Sequence, residues 1–135
     1  MLKKISQIAF AIMMVLTLVS CKNTKQKLQE YVVTYNKTIA PSFRADNVTL
    51  TTARGYINDD KIELRFETDL EQNEVNKSAS VISFPKLIKV MIDTDEIPRQ
   101  LIEEGVQFDV YFLADDNTVL EKETLTGESL KDFLK

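Results

Sequence analysis

The sequence predicts an α+β fold, in which an N-terminal helix packs on a four-stranded antiparallel sheet made of two hairpins separated by a helical segment. Three observations predict it. Apolar residues recur at intervals of three and four in residues 25–40, they alternate with charged residues through most of 61–70, and in 106–113 Phe108, Val110 and Phe112 alternate with Gln107, Asp109 and Tyr111. The first spacing is typical of a helix with one apolar face, and the alternation is typical of strands with one covered face.

The residues before this helix have the parts of a secretory signal. Lys3 and Lys4 precede a nearly unbroken apolar run from Ile8 to Val19. This run is shorter than the roughly 20 residues that a membrane-spanning helix needs. We therefore expect residues 1–20 to be a signal peptide, 21–27 to be a modified cysteine with a short tether, and 28–135 to be a single globular domain.

The signal ends in Leu18-Val19-Ser20-Cys21. These residues resemble the lipobox of bacterial lipoproteins, which is an aliphatic, a variable and a small residue followed by cysteine. The resemblance implies cleavage between Ser20 and Cys21 and attachment to a membrane through lipid on Cys21, the only cysteine of the chain. At roughly 0.8 kcal/mol per buried CH₂, two or three acyl chains hold a protein on a membrane firmly. The alternative is an ordinary cleaved signal that leaves a lone thiol.

The residues after Cys21 help to predict the membrane to which the protein is delivered. Lys22 is not the aspartate that retains lipoproteins in the inner membrane of enteric bacteria, and residues 22–27 contain no acid, unlike the acid-rich tract of surface lipoproteins of the Bacteroidota. The resemblance therefore implies the periplasmic face of the outer membrane, with the cell surface as the alternative. Residues 22–45 hold five basic residues and one acid, so this segment either rests on anionic headgroups or is a solvated helix face. The acidic remainder argues against a nucleic-acid partner.

We expect the first helix to begin at a capping box formed by Asn23 and Gln26 and to end before Pro41. Its apolar face carries Leu28, Tyr31, Val32, Tyr35 and Ile39. Such a face is typical of a helix that packs on a sheet. In the alternative interpretation, Tyr31 and Tyr35 stack on a ligand.

The first hairpin is predicted from residues 48–57 and 61–70, joined by a turn at 58–60. In its second strand Glu63, Arg65 and Glu67 point away from the apolar face. A row of this kind is typical of a solvated surface. The alternative is that these three residues contact a protein partner.

The middle of the chain is ambiguous. Residues 71–80 are polar and predict a loop or the start of a helix, while residues 81–92 fit either a helix with Pro85 in its first turn or a buried strand. A short helix is expected over residues 96–104, with Asp95 as its cap and Gly105 as its stop.

The second hairpin is predicted from residues 106–113 and 118–126 around a turn at 114–117, and a helical turn or two should follow Gly127. This order of elements resembles uncharacterised families of small lipid-anchored bacterial domains. In those families Leu-Ile-x-x-Gly leads into the second hairpin, as residues 101–105 do here. The resemblance implies a fold and no activity.

The composition excludes several kinds of chemistry. The chain has no histidine and no cysteine besides Cys21, which excludes Ser-His and Cys-His catalysis, thiol redox work and ordinary zinc sites. Acidic clusters at residues 93–96 and 115–117 have ligands for calcium but lack the spacing of an EF-hand loop, and a helix cap and a hairpin turn are the favoured interpretations. We therefore expect no catalytic residue, no metal and no cofactor.

Three functions fit these features. The first is a non-catalytic binding or accessory module on the envelope, which holds a protein or a small ligand. The second is an inhibitor or immunity protein, whose acidic surface neutralises a basic toxin or envelope enzyme. After removal of the signal with its two lysines, the chain has 15 basic and 21 acidic residues, which is a net charge of −6. The third is a small hydrolase that works through carboxylates.

The lipobox interpretation is tested by Cys21→Ser. Cys21 is the only acylation site that the pattern offers, so this variant should incorporate no radiolabelled palmitate and should keep its signal uncleaved on an immunoblot. Ser20→Ala keeps a small residue before the cysteine and serves as the labelled control. Palmitate in the Cys21→Ser protein would contradict the interpretation.

Overall fold

The computed structural model describes residues 23–134. Its four strands form one sheet in the order β1-β2-β3-β4, namely β1 Val48–Tyr56, β2 Lys61–Thr68, β3 Gln107–Leu113 and β4 Val119–Leu125. The α-helices are α1 Thr24–Thr34, α2 Ala40–Ser42, α3 Glu74–Asp93, α4 Arg99–Glu103 and α5 Gly127–Phe133. The α+β class, the four-stranded sheet and both hairpins are therefore confirmed.

The sheet is mixed, and the expectation of a wholly antiparallel sheet is wrong at one pairing. Strands β1 and β2 are antiparallel, as are β3 and β4, but β2 and β3 run parallel. The reason is the connection through α3 and α4, which returns the chain to the end of the sheet where β2 begins. Parallel neighbours need a crossover of a dozen or more residues, and residues 69–106 supply it.

Helix α1 begins as predicted and ends differently. Asn23 Oδ1 accepts the Gln26 N–H at 2.8 Å, and Gln26 Oε1 accepts the Asn23 N–H at 3.4 Å, which is the expected capping box. The chain then stays helical past Pro41, through a π-helical turn Tyr35–Ile39 and through α2. Proline has no N–H and its ring clashes with the carbonyl four residues before it. The wider turn just before Pro41 changes which carbonyl faces the ring, so the helix is not forced to stop.

The π-helical turn also closes part of a sheet edge. Asn36 lies in this turn, and its Nδ2 donates to the Ala53 carbonyl at 2.9 Å while its Oδ1 accepts the Ala53 N–H at 2.8 Å. Among the strands of residues 23–134, β1 lies at an edge of the sheet, so its outward N–H and C=O groups face none of the other three strands. The Asn36 amide therefore pairs with β1 as the backbone of another strand would.

A glycine sets the distance between α1 and β1. A Cβ atom on Gly55 would lie 3.0 Å from Leu28 Cδ2 and 3.2 Å from Val32 Cγ2, closer than such atoms ordinarily approach. The missing side chain lets the helix press directly on the strand, and Leu28 is fully buried there.

Residues 81–92 are helical, and their helix begins earlier than expected. Asn73 caps α3 by accepting the Asn76 N–H at 2.8 Å, so Pro85 lies inside the helix and not in its first turn. The proline removes the donor for the carbonyl of Val81, a residue that is exposed and open to water. The buried face of α3 carries Ser80, Phe84, Ile88, Met91 and Ile92.

Helix α4 ends as predicted but is not capped as predicted. Gly105 has a φ of 103°, its N–H bonds to the Ile102 carbonyl, and the Val106 N–H bonds to the Leu101 carbonyl at 2.9 Å. This is the Schellman ending that favours glycine. Asp95 is not the cap, because Pro98 stands at that position and Asp95 adopts a left-handed φ of 63° in the preceding turn.

The core lies between the helices and one face of the sheet. Ile62, Leu64 and Phe66 of β2 are buried with Phe108, Val110 and Phe112 of β3, as the alternation predicts. Four aromatic rings run through this core, with centroids 5.3 Å apart for Phe43 and Phe66, 6.2 Å for Phe66 and Phe84, and 5.1 Å for Phe84 and Phe112. Tilted and edge-to-face pairs of this kind add stabilisation beyond the buried area.

Removal of a central ring should destabilise the domain strongly. We expect Phe66→Ala and Phe112→Ala each to lower the free energy of unfolding by about 3 to 5 kcal/mol, through lost burial and the cavity left behind. Ile82→Ala on α3 is the control, because Ile82 is 64% exposed and its loss should change stability by about 0.5 kcal/mol or less. Urea unfolding followed by circular dichroism measures all three. Equal stabilities would contradict the assignment of strand faces.

Candidate functional site

The face of the sheet opposite the core is the candidate site, and we call it the open face. Because side chains alternate along a strand, register alone decides which residues share it. It carries Leu50, Thr52, Arg54 and Tyr56 of β1, Lys61, Glu63, Arg65 and Glu67 of β2, Gln107, Asp109 and Tyr111 of β3, and Lys122 and Thr124 of β4. The structure thus brings together Glu63, Arg65 and Glu67, the three strand residues that the sequence marked for partner contact.

The centre of the open face is a row of one residue from each strand. Thr52 lies opposite Arg65, Arg65 beside Tyr111, and Tyr111 opposite Lys122. The Lys122 ammonium stands 5.2 Å from the centre of the Tyr111 ring, within the range of a cation–π interaction. Tyr111 therefore lies between Arg65 and Lys122 in this row, and its ring contacts the Lys122 ammonium.

The next two rows of the open face, towards the turn between β1 and β2, are joined by polar contacts. Arg54 lies opposite Glu63, and the Tyr56 hydroxyl donates to Glu63 Oε2 at 3.4 Å. A hydrogen bond to Tyr56 raises the pKa of Arg54, and the charges of Tyr56 and Glu63 act in the same direction. Lys61 lies over the Tyr56 ring, 4.9 Å from its centre. These contacts limit the orientations that the long side chains adopt.

Asp109 is an acidic residue of the open face that is buried, at 5% exposure. Gln107 Nε2 donates to its Oδ1 at 2.8 Å, and Lys61 Nζ lies 3.7 Å from its Oδ2. A buried carboxylate is unfavourable unless it is paired, and these contacts pair it. Asp109 therefore helps to orient Lys61. The alternation of β3 predicts that Asp109 lies on this face, but its ion pair with Lys61 joins residues that are distant in sequence.

The open face is rich in residue types that dominate protein interfaces. Two of the four tyrosines and two of the four arginines of the chain lie on it, namely Tyr56, Tyr111, Arg54 and Arg65. Leu50, beside them on β1, is 53% exposed. Tyrosine and arginine are enriched in protein interfaces and among the residues that carry most binding energy.

The other predicted contact residues, Tyr31 and Tyr35, lie on the core side of the sheet. Tyr35 is fully buried, and its hydroxyl is 2.6 Å from Thr51 Oγ1. The Tyr31 hydroxyl donates to the Glu96 carbonyl at 2.7 Å, and its ring packs edge-on against Phe108 at 5.5 Å. Tyr31 thus links α1 to β3 and to the segment before α4, and Tyr35 links the π-helical turn to β1. The complete burial of Tyr35 leaves none of its surface for a ligand.

The acidic clusters serve local structure. Asp93 Oδ1 is 3.5 Å from Arg99 Nη2 at the end of α3. Asp116 Oδ1 accepts the Thr118 hydroxyl at 2.6 Å and the Thr118 N–H at 3.1 Å, which lowers the pKa of Asp116 and closes the β3–β4 turn. Within residues 23–134 there is no group of three or more metal-ligating side chains that could hold an ion.

Ser20 and Cys21, the predicted cleavage and lipidation residues, lie outside the described residues. None of the helices in residues 23–134 is long and apolar enough to cross a membrane. Comparison of the chain with protein-family models, with curated proteins and with solved structures finds no match.

Because of two buried tyrosines, the free energy of unfolding should decrease at alkaline pH. Burial raises the pKa of Tyr35 from 10.0 to about 12, and burial, together with the charges of Tyr35, Glu96 and Asp95, also raises the pKa of Tyr31. The folded state therefore holds these protons more tightly than the unfolded state. The stabilisation is complete below pH 10 and is lost as the pH rises towards 12, with Tyr35 contributing about 2 to 3 kcal/mol.

Urea unfolding at about pH 9 and at about pH 11.5, on either side of the ordinary tyrosine pKa, measures this loss. We expect the midpoint of the wild type to fall over this interval. The control is Tyr35→Phe, which keeps the ring and removes the titrating hydroxyl, and its midpoint should fall less. A Tyr35→Phe variant that loses as much stability as the wild type would contradict the role of the Tyr35 hydroxyl.

Proposed function

We propose that this is a lipid-anchored envelope protein, held through Cys21 at the periplasmic face of the outer membrane, that binds another protein with its open face. The observation that carries the proposal is the grouping of Tyr56, Tyr111, Arg54 and Arg65 on the side of the sheet away from the helices. The module is non-catalytic in this proposal.

The shape of the open face favours a protein over a small molecule. Small ligands bind in concave, mostly apolar pockets with a few polar groups. The open face is one side of a four-stranded sheet, with cationic, acidic, aromatic and hydroxyl side chains in neighbouring rows. A depression of about 410 Å³ on it is lined mostly by polar and charged residues, among them Thr52, Arg54, Arg65 and Glu67, and not by the apolar side chains typical of small-ligand pockets. A second protein has enough surface to meet such rows with charges and hydrogen bonds of its own.

The contacts within the open face also favour binding. Tyr111 is held beside Lys122, and Lys61 is held by Asp109 and by the ring of Tyr56. Side chains that are already ordered lose less conformational entropy when a partner binds. The open face is thus partly arranged for binding before a partner arrives.

The charge of the open face argues against the alternative function of a toxin inhibitor. Four cationic side chains, Arg54, Lys61, Arg65 and Lys122, stand among three acidic ones, Glu63, Glu67 and Asp109. A surface for neutralising a basic toxin would be dominated by acids. The near balance favours a partner with mixed charges, and the acidic excess of the chain lies on other surfaces.

Site-specific photo-crosslinking in the producing bacterium tests the surface. A p-benzoylphenylalanine residue replaces either Leu50, on the open face, or Ile82, on α3; these side chains are 53% and 64% exposed. We expect a discrete crosslinked product of higher mass from position 50 and none from position 82. A product from position 82 alone would place the binding surface on α3 and overturn the proposal.

The same product allows a test of individual side chains. Arg65→Ala and Tyr111→Ala should each weaken binding about 30-fold, because truncation of a central interface residue typically removes about 2 kcal/mol or more. Lys86→Ala on α3 is the control and should leave the affinity unchanged. The measurement is the affinity of each variant for the crosslinked partner once mass spectrometry has identified it. Wild-type affinity in both open-face variants would contradict the proposal.

A further inference from the structure

A second candidate surface lies beside the first helix, on a different part of the domain from the open face. A shallow, mostly apolar groove of about 620 Å³ runs beside α1 and reaches the end of the β1–β2 hairpin. Its apolar lining includes Leu28, Val32, Val33 and Ile57, and Glu30 is its charged lining residue. Val33 is 51% exposed, so an apolar side chain on the first helix faces outward beside this groove.

We propose that this groove, which we call the α1 groove, rests on the anionic phospholipid bilayer that holds the anchor, with Val33 and Ile57 at the headgroup level. The inference rests on the proposed acylation of Cys21. It adds a second contact with the membrane, made by the folded domain, and this contact sets the orientation in which the domain is held.

The length of the chain keeps the α1 groove near the bilayer. Cys21 is three residues before Thr24, where α1 begins, and three extended residues span about 10 Å. Val33 lies nine residues further along the helix, about 14 Å at roughly 1.5 Å per residue. The lining residues of α1 therefore all lie within about 25 Å of the acylated sulfur, measured along the chain.

Charge favours the same orientation. Residues 22–45 contain five basic residues and one acid, whereas the rest of the mature chain contains ten basic and 20 acidic residues. Lys27 is paired with Glu104 at 2.8 Å, while Lys25 and Lys37 are exposed. Anionic headgroups attract this basic segment and repel the acidic remainder, which turns α1 towards the membrane.

Other exposed apolar residues lack these arguments. Val75, Val81 and Ile82 on α3 are exposed as well. They belong to the acidic remainder of the chain and not to the basic segment 22–45, so anionic headgroups do not favour contact with that helix. Position 82 therefore serves as a control surface of comparable exposure.

Tryptophan fluorescence tests the inference cleanly, because the chain contains no tryptophan. Val33→Trp places the single probe at the α1 groove, and Leu50→Trp and Ile82→Trp place it on the open face and on α3. The full-length acylated protein is reconstituted into vesicles of phosphatidylglycerol and phosphatidylcholine, with or without brominated acyl chains. We expect bromine to quench the emission of Val33→Trp at least twofold and that of the two controls by less than a tenth.

A charge variant checks that the effect comes from the bilayer surface. Lys25→Glu combined with Val33→Trp should reduce the quenching, and thermal unfolding by circular dichroism establishes that this variant is folded. Quenching that is unchanged by the Lys25→Glu substitution and is equally strong in Leu50→Trp would show general proximity to lipid and would overturn the inference.

Flotation of the same vesicles separates the inference from the proposed function. If the protein floats and Val33→Trp is not quenched, the anchor stands and the α1 groove does not touch the bilayer. If the wild-type protein does not float with the vesicles, the proposed anchor itself is wrong. A blue shift of Val33→Trp without quenching, together with crosslinked dimers, would make a second copy the occupant of the α1 groove and would also overturn the inference.

Discussion

Burial of one face of β2 and β3 is the constraint on which the rest of this structure depends. Phe66 and Phe112 point into the core, where Phe84 of α3 lies between them. Since side chains alternate along a strand, commitment of one face to the core commits the other to solvent. The positions of Arg65 and Tyr111 on the open face follow from the burial of their neighbours.

The composition of the open face also depends on the parallel pairing. The first hairpin places Thr52 opposite Arg65, and the second places Tyr111 opposite Lys122. Only the parallel pairing of β2 with β3 places Arg65 beside Tyr111. The crossover through α3 and α4 is therefore as important for the site as the strands are. Helix α1 covers the β1 side of the core. Gly55 allows close contact of α1 with β1, and Asn36, in the turn that follows α1, pairs with the edge of that strand.

Several local predictions succeeded because they depend on nearby residues. The Asn23 and Gln26 capping box and the Gly105 stop each involve atoms a few residues apart. Pro41 and Asp95 were predicted wrongly for the opposite reason. The chain passes Pro41 because a π-helical turn precedes it, and that turn is accompanied by the contact of Asn36 with Ala53, on a strand that the helix reaches only in the folded state.

The sequence by itself determined the two hairpins, the helical stripe of α1 and the side of each strand on which Glu63, Arg65 and Glu67 lie, because periodicity is a property of neighbours along the chain. Only the tertiary structure decided that β2 and β3 run parallel, that Asp109 is paired with Lys61, and that Tyr31 reaches the Glu96 carbonyl. Each of these contacts joins segments tens of residues apart. Such contacts form only when the whole core is assembled, and no local pattern encodes which distant partner a side chain meets.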